Sequence, residues 1–203
     1  MATKVQEQRG AHEQRVFVVE DESLVAMGLA RMLQRLGYVQ IHVFPSAEQA
    51  LTRLKELQPD FVLMDIKLGE GMDGLAAARE IMESRPCPVI ITTAYAEEKY
   101  LREAMHSHVF GYLVKPFTSQ QLAGAVALAK GRFEEFVRLQ AENQDLRETL
   151  ETRKLVERAK GILMERRDLT EQQAYQLMRT QSQEQRRAMR EIAKAVIDAA
   201  QFL

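Results

Sequence analysis

The 203-residue sequence has one cysteine, five prolines and only 6% aromatic residues, and its formal net charge is −1. A lone Cys87 cannot build an internal disulfide framework, so a reducing compartment suits the chain. The longest apolar run falls far short of the roughly 20 residues that a membrane helix needs. Residues 1–10 are polar and lack the apolar stretch of a signal peptide. These absences together predict a soluble, cytoplasmic protein with no membrane partner.

The near-zero charge hides an asymmetry. From Thr152 onward there are eleven Lys/Arg against seven Asp/Glu (+4), and residues 1–151 hold the other 17 and 22 (−5). An acidic front and a basic tail point to different partners for each. The length suits one ordinary domain followed by a smaller one.

The front of the chain alternates strand and helix signals. VFVV (16–19), 39–44, FVLMD (61–65), PVIITT (88–93) and GYLV (111–114) read as strands, the apolar runs as buried ones. Helical spacing of Leu24, Met27, Leu29, Met32, Leu33 and Leu36 follows the first strand, with Gly37 at its C-terminal cap. Ser46-Ala-Glu-Gln49 opens a second helix that Pro59 ends, and 75–82 and 97–106 carry two more. Thr118-Ser-Gln-Gln121 caps the helix after the fifth strand. The fold class expected is α/β: a doubly wound, five-stranded parallel sheet, with ligands at the C-terminal strand ends.

Beyond Gly131 only helical signals remain. Phe136, Leu139, Asn143, Leu146 and Leu150 fall on a and d positions of a heptad, which predicts a short coiled coil. A single amphipathic helix lying on its own domain is the alternative. Further on, Thr170-Glu-Gln-Gln173 and Ser182-Gln-Glu-Gln185 each read as caps, dividing the tail into three helices of a small bundle. The expected organisation is a flexible N-terminus (1–13), the α/β domain (14–130), a helical linker (131–152) and the bundle (153–203).

Three carboxylates, Glu20, Asp21 and Asp65, lie at strand C-termini, where neighbouring strands bring them together. Their mutual repulsion favours a divalent cation, and hard oxygen ligands suit Mg²⁺. Thr93 adds a hydroxyl and Lys115 a positive charge at two further strand ends. Such a set suits phosphoryl transfer onto Asp65. A phosphatase using a strand-end Asp would need a second acid two residues later, where Lys67 stands.

The motifs ED (20–21), MDIKL (64–68), TTA (92–94) and GYLVKPF (111–117) resemble the flavodoxin-like receiver domain of bacterial two-component response regulators. The resemblance implies Asp65 as phosphoacceptor and Asp21 as a direct Mg²⁺ ligand. Glu20 would act through water, with the Lys67 backbone carbonyl completing the protein ligands. Thr93 and Lys115 would bind the phosphoryl group, next to a cis Lys115–Pro116 bond, and Thr93 and Tyr112 would act as the switch. A sensor histidine kinase would be the phosphodonor, and phosphorylation would promote a homodimer. Lys67 and Tyr95 occupy positions that tune phosphoryl lifetime, and their bulk implies a long-lived phosphoryl group.

In the tail, Arg153, Glu157, Ala159, Lys160, Gly161, Leu163 and Met164, with Ala174-Tyr175 and Ala193, look like an ANTAR domain, an RNA-binding antiterminator module. Ala159, Gly161, Ala174 and Ala193 would permit close helix approach around Leu163, Leu177, Ile192 and Val196. Arg153, Lys160, Arg166, Arg167, Arg179, Arg186, Arg187 and Arg190 would face RNA hairpins in leader transcripts. With few aromatics, phosphate contacts and arginine stacking would carry that binding. For any one of these residues a solvated helix face with i,i+4 pairs is the plainer reading, as for Lys160 near Glu157. Asp168 stands where the family usually has Gly, and Ser182 and Arg186 depart from commoner turn residues. A DNA-binding helix-turn-helix or a protein-docking tail are the competing outputs.

Overall fold

A computed structural model of the chain describes residues 10–94 and 109–201. Tyr95 and the helix expected over 97–106 lie outside the described residues. The chain divides into two compact units, Met1–Phe136 and Val137–Leu203.

In the first unit, β1 (Arg15–Val19), α1 (Ser23–Arg35), β2 (Gln40–Phe44), α2 (Ala47–Leu57), β3 (Phe61–Asp65), α3 (Gly74–Ser84), β4 (Val89–Thr93) and β5 (Gly111–Val114) follow in order. The strands form one parallel sheet in the order β2-β1-β3-β4-β5. That order is the doubly wound one expected, and it reverses direction at β1 and β3. Alternation along the strands sends side chains to two cores. Phe17, Val19, Val62, Met64, Val89 and Ile91 pack with α2 and α3. Val16, Val18, Phe61, Leu63 and Ile90 pack with α1 and with Leu122, Val126 and Ala129 of the next helix.

Local signals set the element ends. Gly37, at φ +92°, closes α1 in a Schellman turn in which its N–H reaches the Gln34 carbonyl and that of Tyr38 the Leu33 carbonyl. The apolar spacing of α1 overstates its buried face. Leu24 is 84% exposed and Met27 53%, whereas Ala26, Leu29 and Leu33 are buried, because the sheet covers only one stripe.

Helix α4 (Ser119–Arg167) is one continuous element, opened by a reciprocal cap between Thr118 and Gln121. Residues 119–136 belong to the first unit and 137–167 to the second. Phe136, expected on the coiled-coil seam, instead joins an aromatic cluster with Phe110 and Phe133. The exposed apolar stripe therefore starts at Leu139 and continues through Leu146 and Leu150, each more than half exposed.

In the second unit α4 packs with α5 (Glu171–Gln185) and α6 (Met189–Gln201) around Val156, Ala159, Leu163, Ala174, Met178, Ile192, Ala193 and Ile197. Thr170 and Gln173 form the expected capping box, and Asp168 turns the chain at φ +53°. Two expectations fail here. Ser182–Gln185 is the last turn of α5 and not a cap on α6; the Ser182 hydroxyl donates to the Arg187 carbonyl while Arg186 makes the left-handed turn. Gly161 is exposed, and a Cβ there would meet nothing, so it mediates no close helix contact.

Candidate functional site

The strand ends of the sheet bring Glu20, Asp21 and Asp65 together, with one carboxylate oxygen of each within 4.8 Å of the others. Glu20 continues β1, its N–H donating to the Phe44 carbonyl, so its side chain is carried into the protein and is 2% exposed. Asp65 is the last residue of β3, and Asp21 is exposed beside them. Lys115 extends the ladder between β4 and β5, its N–H donating to the Thr93 carbonyl at 2.7 Å. Its ammonium donates to Glu20 Oε2 and to Asp65 Oδ2, both at 2.6 Å. The Lys115–Pro116 bond is cis, and Thr93 is fully buried at the end of β4.

The electrostatics follow from this crowding. Burial pushes the Glu20 carboxyl above its usual range and the Asp65 charge adds to it, although Lys115 opposes both. Burial would lower the Lys115 ammonium, but its bonds to Asp65 and Glu20 win and hold it above the ordinary lysine value. Burial, then the nearby Asp65 charge, raises the Tyr112 hydroxyl.

A hard divalent cation fits this donor set. Glu20 Oε1 is buried and accepts no hydrogen bond among the described residues, which leaves an acceptor for a metal-bound water. An open cleft of about 520 Å³ is lined by Asp21, Ile66, Lys67, Leu68, Gly69 and residues of the loop before α3. Gly74 is required there, since a Cβ would lie 1.9 Å from the Asp65 carbonyl oxygen. Thr92, the first residue of the TTA motif, lies next to Thr93 near the end of β4. It is paired in register with Asp65 and fully buried, and among the described residues its hydroxyl has no hydrogen-bond partner.

The basic residues of the second unit divide by their contacts. Lys160 is 7% exposed, and its ammonium donates to Glu157 at 2.9 Å and Glu171 at 2.6 Å. It is an internal ion pair and not the free surface cation expected, because it lies on the flank of α4 that meets the start of α5. Arg166 donates to the Ala200 carbonyl at the end of α6, a cap on that helix. Arg187 pairs with Glu191, and Arg186 occupies the turn. Arg153, Arg167, Arg179 and Arg190 are exposed and pair with no described residue.

Comparison with known proteins follows the same division. Residues 16–127 match the family described as a response regulator receiver domain, and residues 144–197 match the ANTAR domain. The chain is 37% identical over 184 residues to the transcriptional regulatory protein PdtaR of Mycobacterium tuberculosis, covering 91% of this chain and 89% of that one. It also resembles the N-terminal domain of a response regulator/sensory box/GGDEF protein from Carboxydothermus hydrogenoformans, with TM-score 0.56 and 32% identity over 61% of this chain and 99% of that one. A signal receiver domain of a diguanylate cyclase from Desulfovibrio desulfuricans gives TM-score 0.56 and 30% identity, over 60% and 96%.

Proposed function

The chain belongs to the response-regulator family, with a receiver domain followed by an ANTAR domain, and on that premise we propose that it is a phosphorylation-controlled RNA-binding antiterminator. The observation that carries this reading is Lys115 bridging Glu20 and Asp65 at 2.6 Å each, at the ends of separate strands. Both matched domains are regulatory and not catalytic.

An Asp65 oxygen attacks the phosphorus of a phosphohistidine on a sensor kinase. The new O–P bond forms as the N–P bond breaks, and the imidazole leaves with that electron pair and takes up a proton. Lys115, which holds Asp65 Oδ2 beforehand, turns to the phosphoryl oxygens, where its charge offsets theirs. Glu20, Asp21, Asp65 and the Lys67 carbonyl would hold Mg²⁺, which supplies charge neutralisation for the transferred group. The Thr93 hydroxyl then bonds the phosphoryl group, and Tyr112 follows it inward.

The readout is dimerisation. Leu139, Leu146 and Leu150 leave an apolar stripe on α4 whose natural occupant is the same stripe of a second copy, with Asn143 fixing register. Two bundles then present Arg153, Arg167, Arg179 and Arg190 to paired hairpins of a leader transcript in the cytoplasm, disfavouring a terminator. Coupling needs only that phosphorylation stabilises the dimer. A DNA-reading helix is less well served: α6 begins at Met189, so Arg186 and Arg187 fall before it. The test is Asp65→Asn in the full chain. Loss of the phosphodonor-dependent gain in RNA affinity is expected, and an unchanged gain would refute the scheme.

A further inference from the structure

The loop between β3 and α3 forms one wall of the cleft beside Asp21 and carries the Lys67 carbonyl. The far half of this loop is restrained from the first turn of α2: the Met72 N–H donates to Glu48 Oε1 at 2.8 Å, across 24 residues of sequence. Next to it, Gly71 passes so close that a Cβ would lie 2.7 Å from the same oxygen, at a φ of +145° that only glycine adopts readily. Backbone contact and hydrogen bond therefore meet on one carboxylate. Two further anchors hold the base of the loop, where the Gly74 N–H at its far end bonds the Ile66 carbonyl at 2.9 Å and the Lys67 N–H reaches Asp65 Oδ1 at 3.3 Å.

We propose that Glu48 is a positioning residue for the divalent cation, clamping the loop whose backbone completes the cation site. This rests on the receiver reading of the acidic cluster. Mg²⁺ demands near-ideal octahedral geometry, so a carbonyl ligand on an unrestrained loop is a poor one. Glu48 touches neither cation nor phosphoryl group; it acts through Met72 and Gly71. The bond from Met72 shifts the Glu48 carboxyl below the ordinary glutamate value, and bonds within its own helix turn add to the shift.

The test is calorimetric titration of the full-length chain with MgCl₂, with no phosphodonor present. Glu48→Ala should weaken Mg²⁺ binding about tenfold, the lower end of what lost supporting contacts cost a metal site. Glu48→Gln keeps an acceptor oxygen and should stay close to the unsubstituted chain. Phosphorylation by acetyl phosphate should show the same rise in half-saturating Mg²⁺ for Glu48→Ala, with its rate at saturating Mg²⁺ unchanged. The Met72 amide should exchange faster with solvent in Glu48→Ala alone. Equal Mg²⁺ affinity in Glu48→Ala and the unsubstituted chain would overturn the clamp, as would Glu48→Gln falling as far as Glu48→Ala. Absence of Mg²⁺ binding by the unsubstituted chain would instead bring down the receiver-site reading on which it stands.

Discussion

In the first unit the charged residues of the cleft stand at strand ends, whereas in the second they are spread along helices. A parallel sheet spaces its strands about 4.8 Å apart, so residues in register at strand ends converge without further help. Glu20 and Asp65 converge this way on neighbouring strands, and Lys115, two strands from Asp65, reaches both carboxylates with its long side chain. A helix bundle has no such focus. Arg153, Arg167, Arg179 and Arg190 are exposed and pair with no described residue, and the buried Lys160 is neutralised by two glutamates. The first unit therefore holds a preorganised centre, and the second a dispersed set of exposed cations.

The largest effect that would break this comparison comes from Lys115→Met. It removes the charge between two carboxylates, and phosphorylation by acetyl phosphate should slow about a hundredfold, within the range for loss of one preorganised donor. A rate near that of the unsubstituted chain would mean that the centre does not depend on its bridge.

Next comes the independence of the two units. Met178 is 1% exposed in the bundle core, and Met178→Ala should destabilise that unit by about 2–5 kcal/mol. Thermal unfolding followed by circular dichroism should show the loss, while phosphorylation of Asp65 continues unchanged. Loss of phosphorylation in this variant would show that the units are not separate.

Much of this architecture is legible in the sequence, and the misreadings share a cause. Strands and their terminal carboxylates stand out because an apolar run that stops abruptly at an acid is what a buried strand emerging at a sheet edge requires. Leu24 and Met27 mislead because helical spacing marks a stripe but not its width. Ser182 imitates a cap because a Ser-x-x-Gln pattern fits the end of one helix as well as the start of the next. The left-handed turn at Arg186, a residue with no special preference for it, decides the matter. Lys160 resembles a surface cation because its burial depends on α5, and nothing local in sequence signals that contact.

A finer distinction separates the cations of the bundle. Arg167→Ala should weaken RNA binding and reduce the slope of log affinity against log salt by about one, as loss of a phosphate contact does. Lys160→Met should lower bundle stability and leave that slope unchanged. Equal slope changes in both would place Lys160 on RNA after all.

The smallest effect is one of pH. The bond from Lys160 holds the Glu171 carboxyl below its ordinary value of 4.5. The pair therefore contributes its full stability above about pH 4.5 and loses it as pH falls through the lower folded value. Glu171→Gln should reduce the acid sensitivity of bundle unfolding slightly, a change seen by comparing melting curves at pH 3 and pH 6. Identical curves for both proteins would leave the pair without energetic weight.

Control of RNA binding by the phosphoryl group is best tested on the full chain at fixed salt, with and without Mg²⁺ and beryllofluoride as a phosphoryl mimic. The probes are a two-hairpin leader RNA, selected from transcripts that co-purify with the chain, and a duplex DNA of equal length. Tight RNA binding should appear only with the mimic, and binding to DNA should stay weak and salt-labile. RNA binding indifferent to the mimic, or a preference for DNA, would contradict a phosphorylation-controlled antiterminator.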